Sequence, residues 1–126
     1  MRRLITLLVL TVGVAGCGGD DQKQIRATFR DLREAVQRQD FARVCALMTD
    51  RAQREQIKNA ANADAKTCVE AWEPPSSRDG FQAVQAIVAM PPPIQSIDVS
   101  GHRARVQHVA GPPTVLRKVD GRWLFD

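Results

Sequence analysis

Three thiols, two imidazoles and one carboxylate close to them in sequence are the groups of this 126-residue chain whose types and spacing can do chemistry. Cys17 ends an N-terminal apolar run, where a thiol can act as a nucleophile towards lipid. Cys45 and Cys68 can form a disulfide, remain as two buried thiols, or ligate a metal. The metal option is weak, because no second Cys or His stands at ligand spacing from either. Asp98, His102 and His108 offer a carboxylate and imidazoles for proton transfer. His102 and His108 share strand parity and therefore a face, but six residues of extended chain hold them about 20 Å apart. One small metal ion cannot take both without a bend. Asp98 adjoins the Ser100-Gly101 turn and reads as an exposed turn carboxylate. Ser76 and Ser77 have no recognisable base, and there is no phosphate-binding glycine loop, dinucleotide fingerprint, nucleophile elbow or HExxH. The residues therefore point to no catalytic site, no cofactor and no metal.

The N-terminus supplies an address for these groups. Arg2 and Arg3 precede an apolar stretch from Leu4 to Val14 that is too short to span a bilayer, and small residues follow it. Val14-Ala15-Gly16-Cys17 resembles the lipobox of bacterial lipoproteins. That resemblance implies a signal peptide over residues 1–16, cleavage between Gly16 and Cys17, and a diacylglyceryl anchor on the Cys17 sulfur. The expected location is the cell membrane, on its extracytoplasmic face. Gly18, Gly19, Asp20 and Asp21 then read as part of a flexible tether over residues 17–22, leaving 23–126 as one domain. About 110 mature residues suffice for a single core and not for two. The formal charge of +4 includes Arg2 and Arg3, and without them it is about +2, so basicity gives no case for a nucleic-acid partner. With Cys17 carrying lipid, Cys45 and Cys68 form an even pair in an oxidising compartment. A bridge between them would close a loop of roughly 24 residues.

Hydrophobic spacing gives the elements. Ile25, Phe29, Leu32 and Val36 lie on one stripe of a helix over Lys23 to Gln39. Asp40 suits the N-cap of a second helix with Phe41, Val44, Leu47 and Met48 on one face, and Thr49 or Asp50 can cap a third containing Ile57. A short helix over Lys66 to Glu73 carries Cys68, Val69 and Trp72 inward until Pro74-Pro75 stops it. Phe81, Val84, Ile87 and Val88 repeat helical spacing after Asp79, and Pro91-Pro92-Pro93 ends that pattern. From Ile94 the period is two: Ile97 and Val99, then Arg103 to Val109 with Ala104 and Val106 on one face, then Thr114 to Val119 and Arg122 to Phe125 around Asp120-Gly121, a pair suited to a type I′ hairpin. In that register Leu116 opposes Phe125 and Lys118 opposes Trp123. Helices first and antiparallel strands last predict an α+β domain. Beside the apolar stripe of the first helix, Arg26, Arg30 and Arg33 recur at helical spacing. They can meet anionic headgroups, but the favoured reading is a solvated face balanced by Asp31 and Glu34.

The helix junction at Gln39-Asp40-Phe41, the Cys-Ala-Leu-Met stretch from Cys45 to Met48, the second Cys before Trp72, and the ending from Leu116 through Asp120-Gly121-Arg122-Trp123 to Phe125 resemble small exported lipoproteins of high-GC bacteria with the NTF2-like cone fold, SnoaL-like domains included. The resemblance implies N-terminal helices packed on a curved antiparallel sheet. Catalytic relatives include isomerases and dehydratases, and those like ketosteroid isomerase need a tyrosine in the oxyanion hole, whereas this chain has none. The resemblance then implies a non-catalytic binding or accessory module of the cell envelope, taking a small hydrophobic ligand or an envelope protein as partner. An isomerase, dehydratase or hydrolase using the cone pocket is the alternative, as is a structural domain that forms a homodimer.

Overall fold

A computed structural model describes residues 18–73 and 92–126, which form an α+β domain of four helices followed by a four-stranded antiparallel sheet. The expected signal segment, Cys17, Ser76, Ser77 and the helix expected after Asp79 lie outside the described residues. Helices α1 (Gly18–Gln37), α2 (Phe41–Ala46), α3 (Asp50–Lys58) and α4 (Cys68–Trp72) precede strands β1 (Ile94–Ser100), β2 (Arg103–His108), β3 (Thr114–Val119) and β4 (Arg122–Phe125). The strands pair in sequence order, and the sheet is not closed into a barrel.

The first helix begins five residues before the expected Lys23, which removes most of the tether read over 17–22. Asp20 and Asp21 occupy its first turn, where carboxylates complement the exposed N–H groups and the helix dipole. Asp21 is tied further: its Oδ1 accepts from Lys118 Nζ at 2.8 Å and from Trp123 Nε1 at 3.0 Å. These bonds, together with the Lys118 charge, hold the Asp21 carboxyl below its ordinary value of 3.8. A carboxyl with a lower folded than unfolded value stabilises the fold fully above the unfolded value and loses that contribution as pH falls through the folded one. Wild type should therefore lose stability more steeply than Asp21→Asn on acidification below about pH 4, as read by tryptophan fluorescence in acid titrations. Equal slopes would exclude Asp21 as a contributor.

At the other end, α1 closes two residues earlier than expected. Gln39 takes φ 55°, its N–H reaches Val36 O at 3.0 Å, and the Asp40 N–H reaches Ala35 O at 2.9 Å. This is the paired-bond helix stop normally served by glycine. Asp40 then caps α2 by accepting from Arg43 N at 3.1 Å. The choice between Thr49 and Asp50 falls to Thr49, whose hydroxyl accepts from Ala52 N. Thr67 and Glu70 form a capping box on α4 that spacing alone offered and the sequence reading passed over.

The hairpin register is the expected one, with Leu116 opposite Phe125 and Lys118 opposite Trp123. Asp120 and Gly121 adopt φ 49° and 76°, the positive angles a type I′ turn requires. One face of the sheet carries Ile97, Ala104, Val106, Leu116, Trp123 and Phe125, which bury Ile25 and Phe29 of α1. Leu47 joins them because α2 stops at Ala46 and the chain runs on beside β4: Phe125 N donates to Leu47 O at 2.9 Å, and Thr49 N to Phe125 O at 2.8 Å. A second cluster joins Ala35, Val36 and Val44, with Phe41 and Trp72 packed against it. There Cys45 and Cys68 are bonded as a disulfide with their Cα atoms 6.0 Å apart, tying α2 to α4. The opposite face mixes arginines with Val115, Val119 and Leu124, and there Arg103 stands directly opposite Arg117, a like-charge pair that weakens the ladder locally. Asp126 draws Arg117 aside at 3.6 Å.

Candidate functional site

Phe29 faces both ways. One side of its ring meets Phe125 edge-on at 5.0 Å in the core, and the His108 ring lies edge-on at 5.6 Å. Its outer side forms the wall of a cleft between α1 and the ends of β2 and β3. The cleft has two lobes that share Phe29, Pro92 and His108. The larger, about 470 Å³, is apolar and is lined chiefly by Phe29, Leu32, Met48, Pro112 and Phe125. The smaller, about 250 Å³, is lined by Arg26, Arg30 and Arg33 together with Pro93 and Ile94. Their combined size falls within the roughly 300–1,000 Å³ of ordinary small-molecule sites.

His108 is the one imidazole in this wall, and it is fixed. It is 6% exposed, with Nδ1 3.1 Å from Pro92 O and Nε2 2.9 Å from Thr114 Oγ1. A carbonyl oxygen only accepts, so Nδ1 carries a hydrogen and Nε2 faces the threonine hydroxyl. Both ring nitrogens are thus hydrogen-bonded within the protein. Of the two histidines only His108 lines the cleft. His102 sits in the turn before β2, exposed, with its backbone carbonyl accepting from Lys118 N at 2.7 Å. Asp98 is exposed on the outer face of β1 opposite Arg105, whereas His108 points to the inner face. The sheet thus stands between the carboxylate and the imidazole, and no proton-transfer pair is assembled from these three residues.

The Asp126 carboxylate is held structurally. Asp126 accepts from Thr49 Oγ1 at 2.8 Å and from Arg51 Nη2 at 3.0 Å, with Arg117 beyond. Burial alone would raise its carboxyl value, but the hydrogen bonds from Arg51 and Thr49 and the nearby positive charges outweigh it and leave it lowered. Among the described residues no group of three His, Cys, Asp or Glu side chains is placed to hold a metal ion.

The cleft arginines are exposed, as a solvated face requires, but their expected counter-charges pair with other residues. Asp31 and Glu34, expected to balance them, are engaged elsewhere: Asp31 lies 3.5 Å from Arg43 on α2, and Glu34 lies 2.7 Å from Arg38. Among the described residues no carboxylate comes within ion-pair distance of Arg26, Arg30 or Arg33. Periodicity revealed the stripe, but no local signal told that its counter-charges were spent or that Met48 and Pro112 would face Phe29 across a gap. No protein-family model, curated protein or solved structure matches this chain, so the cleft rests on its own residues for an interpretation.

Proposed function

We propose that this chain is an extracytoplasmic lipoprotein, held at the cell membrane by a diacylglyceryl group on Cys17, whose NTF2-like domain is a non-catalytic ligand-binding module of the envelope. The observation that carries the binding reading is the apolar lobe beside Phe29, open to the surface among the described residues and lined by no Asp or Glu. A site built for proton transfer needs a group within reach of the ligand and free to exchange. The Cys45–Cys68 bridge supports the address, since disulfides persist in oxidising compartments. No helix among the described residues is long and apolar enough to cross a membrane, and a lipid on Cys17 supplies attachment without one.

Intact mass of the protein extracted from membranes tests the anchor. The expected species begins at Cys17 and carries a diacylglycerol, and Cys17→Ser lacks that mass. A membrane-extracted protein with a free Cys17 thiol would overturn the anchor.

A further inference from the structure

We propose that the cleft binds a single-chain anionic amphiphile, with its alkyl tail in the lobe beside Phe29, Leu32 and Met48 and its acidic head on Arg26, Arg30 and Arg33. This inference rests on the binding-module reading and names the ligand class.

Two independent features converge. Residues 26, 30 and 33 are separated by four and three positions, which puts three guanidinium groups on one face of α1, and all three line the same 250 Å³ lobe. Arg38, Arg43, Arg51 and Arg117 each have a carboxylate partner. The cleft arginines have none among the described residues, and the two acids nearest in sequence are committed to other cations. Three like charges held together without counter-charge are repulsive until an anion enters, and each guanidinium can then give two parallel hydrogen bonds to a carboxylate or phosphate.

The second feature is the apolar lobe, which joins the cationic one through Phe29, Pro92 and His108. A bare inorganic anion would leave that lobe unfilled, and a bilayer surface is too broad to enter a concave cleft. A molecule with one acidic end and one hydrocarbon end satisfies both lobes at once. His108 belongs to the wall the two lobes share, with its Nδ1 hydrogen directed at Pro92 O.

The full chain with Cys17→Ser, which removes competing covalent lipid, can be titrated calorimetrically with decyl phosphate, decyltrimethylammonium and 1-decanol below their micelle concentrations, with inorganic phosphate, and with phosphatidylglycerol vesicles. Decyl phosphate should bind at least tenfold more tightly than decyltrimethylammonium or inorganic phosphate. The Arg26→Gln, Arg30→Gln, Arg33→Gln triple variant should lose at least tenfold for decyl phosphate and keep its affinity for 1-decanol. Its thermal midpoint should stay near wild type, since the replaced side chains are exposed and have no ion-pair partner among the described residues. Should it not fold, Arg30→Gln alone must still weaken decyl phosphate selectively. Equal binding of the cationic and anionic amphiphiles would overturn the anionic class while leaving an apolar binding site. Attachment to vesicles without binding of monomeric decyl phosphate would assign the arginines to a membrane surface and overturn the proposal. Failure of all three decyl compounds would overturn both this inference and the binding-module reading.

Discussion

Removing the Cys45–Cys68 bridge by the double replacement Cys45→Ser, Cys68→Ser is expected to lower the unfolding free energy by about 3 kcal/mol. The two residues are 23 apart in sequence, and opening a loop of that size returns its closure entropy to the unfolded chain. The folded state also depends on the bridge more than the number suggests. The α4 helix has five residues, far below the length at which a helix holds itself together in water, and its attachment to α2 runs through Cys68 and the Phe41–Trp72 stack at 6.5 Å. Against a typical stability of roughly 5–15 kcal/mol, such a loss moves a urea midpoint substantially. The measurement is urea unfolding of the double-serine variant beside wild type, with and without reductant. Wild type in reductant should match the variant. An unchanged midpoint would show that the tie between α2 and α4 is made by apolar contact alone. Hydrogen exchange should loosen first over 59–72, the loop after α3 and the α4 helix that the bridge ties to α2, before the sheet is affected.

What could be read from residue types was whatever depends on near neighbours. Asp120-Gly121 announces its hairpin because both positions need positive φ, and fixing that turn fixes the register that sets Leu116 against Phe125. The apolar stripe from Ile25 to Val36 announces α1 for the same reason. Its beginning was misjudged because Gly18-Gly19-Asp20-Asp21 is locally a solvated, flexible sequence, and the partners that order Asp21 are Lys118 and Trp123, 97 and 102 residues further on. The arginine stripe shows a different limit. Helical spacing placed Arg26, Arg30 and Arg33 correctly beside Asp31 and Glu34, yet the charge balance turned on Arg43, which reaches Asp31 only because α2 folds back on α1. β2 starts at Arg103, where the alternation places it, and His102 falls in the turn before it. The cleft was not legible at all. Its floor depends on the Leu47–Thr49 segment joining β4 by two backbone bonds, a pairing between parts of the chain that carry no matching local pattern.

Truncating Trp123 is expected to be the most damaging single change on the sheet, costing about 3–5 kcal/mol as Trp123→Ala. The side chain is 2% exposed at the centre of the main core, and three further interactions converge on the residue. Its indole N–H donates to Asp21, Lys118 Nζ stands 5.7 Å from its ring, and its backbone carbonyl accepts from the Thr28 hydroxyl at 3.2 Å. Alanine leaves a cavity that α1 and the hairpin are both too firmly held to fill, and leaves Asp21 with Lys118 as its remaining partner. Trp123→Phe separates the contributions. It retains most of the buried ring and removes the N–H donor, so it should cost about 1–2 kcal/mol, the net value of a hydrogen bond to a charged group plus a small loss of volume. Urea unfolding followed by far-ultraviolet circular dichroism, which does not depend on the replaced fluorophore, measures both. Equal losses for the two variants would mean that the bond to Asp21 carries the stabilisation and the packing carries little. Because neither cysteine belongs to the core cluster that holds Trp123, their effects should add to within about 0.5 kcal/mol. Trp123→Ala combined with the double-serine replacement then approaches the whole stability of a domain this size, and the combined variant should be unfolded at room temperature while each parent remains folded.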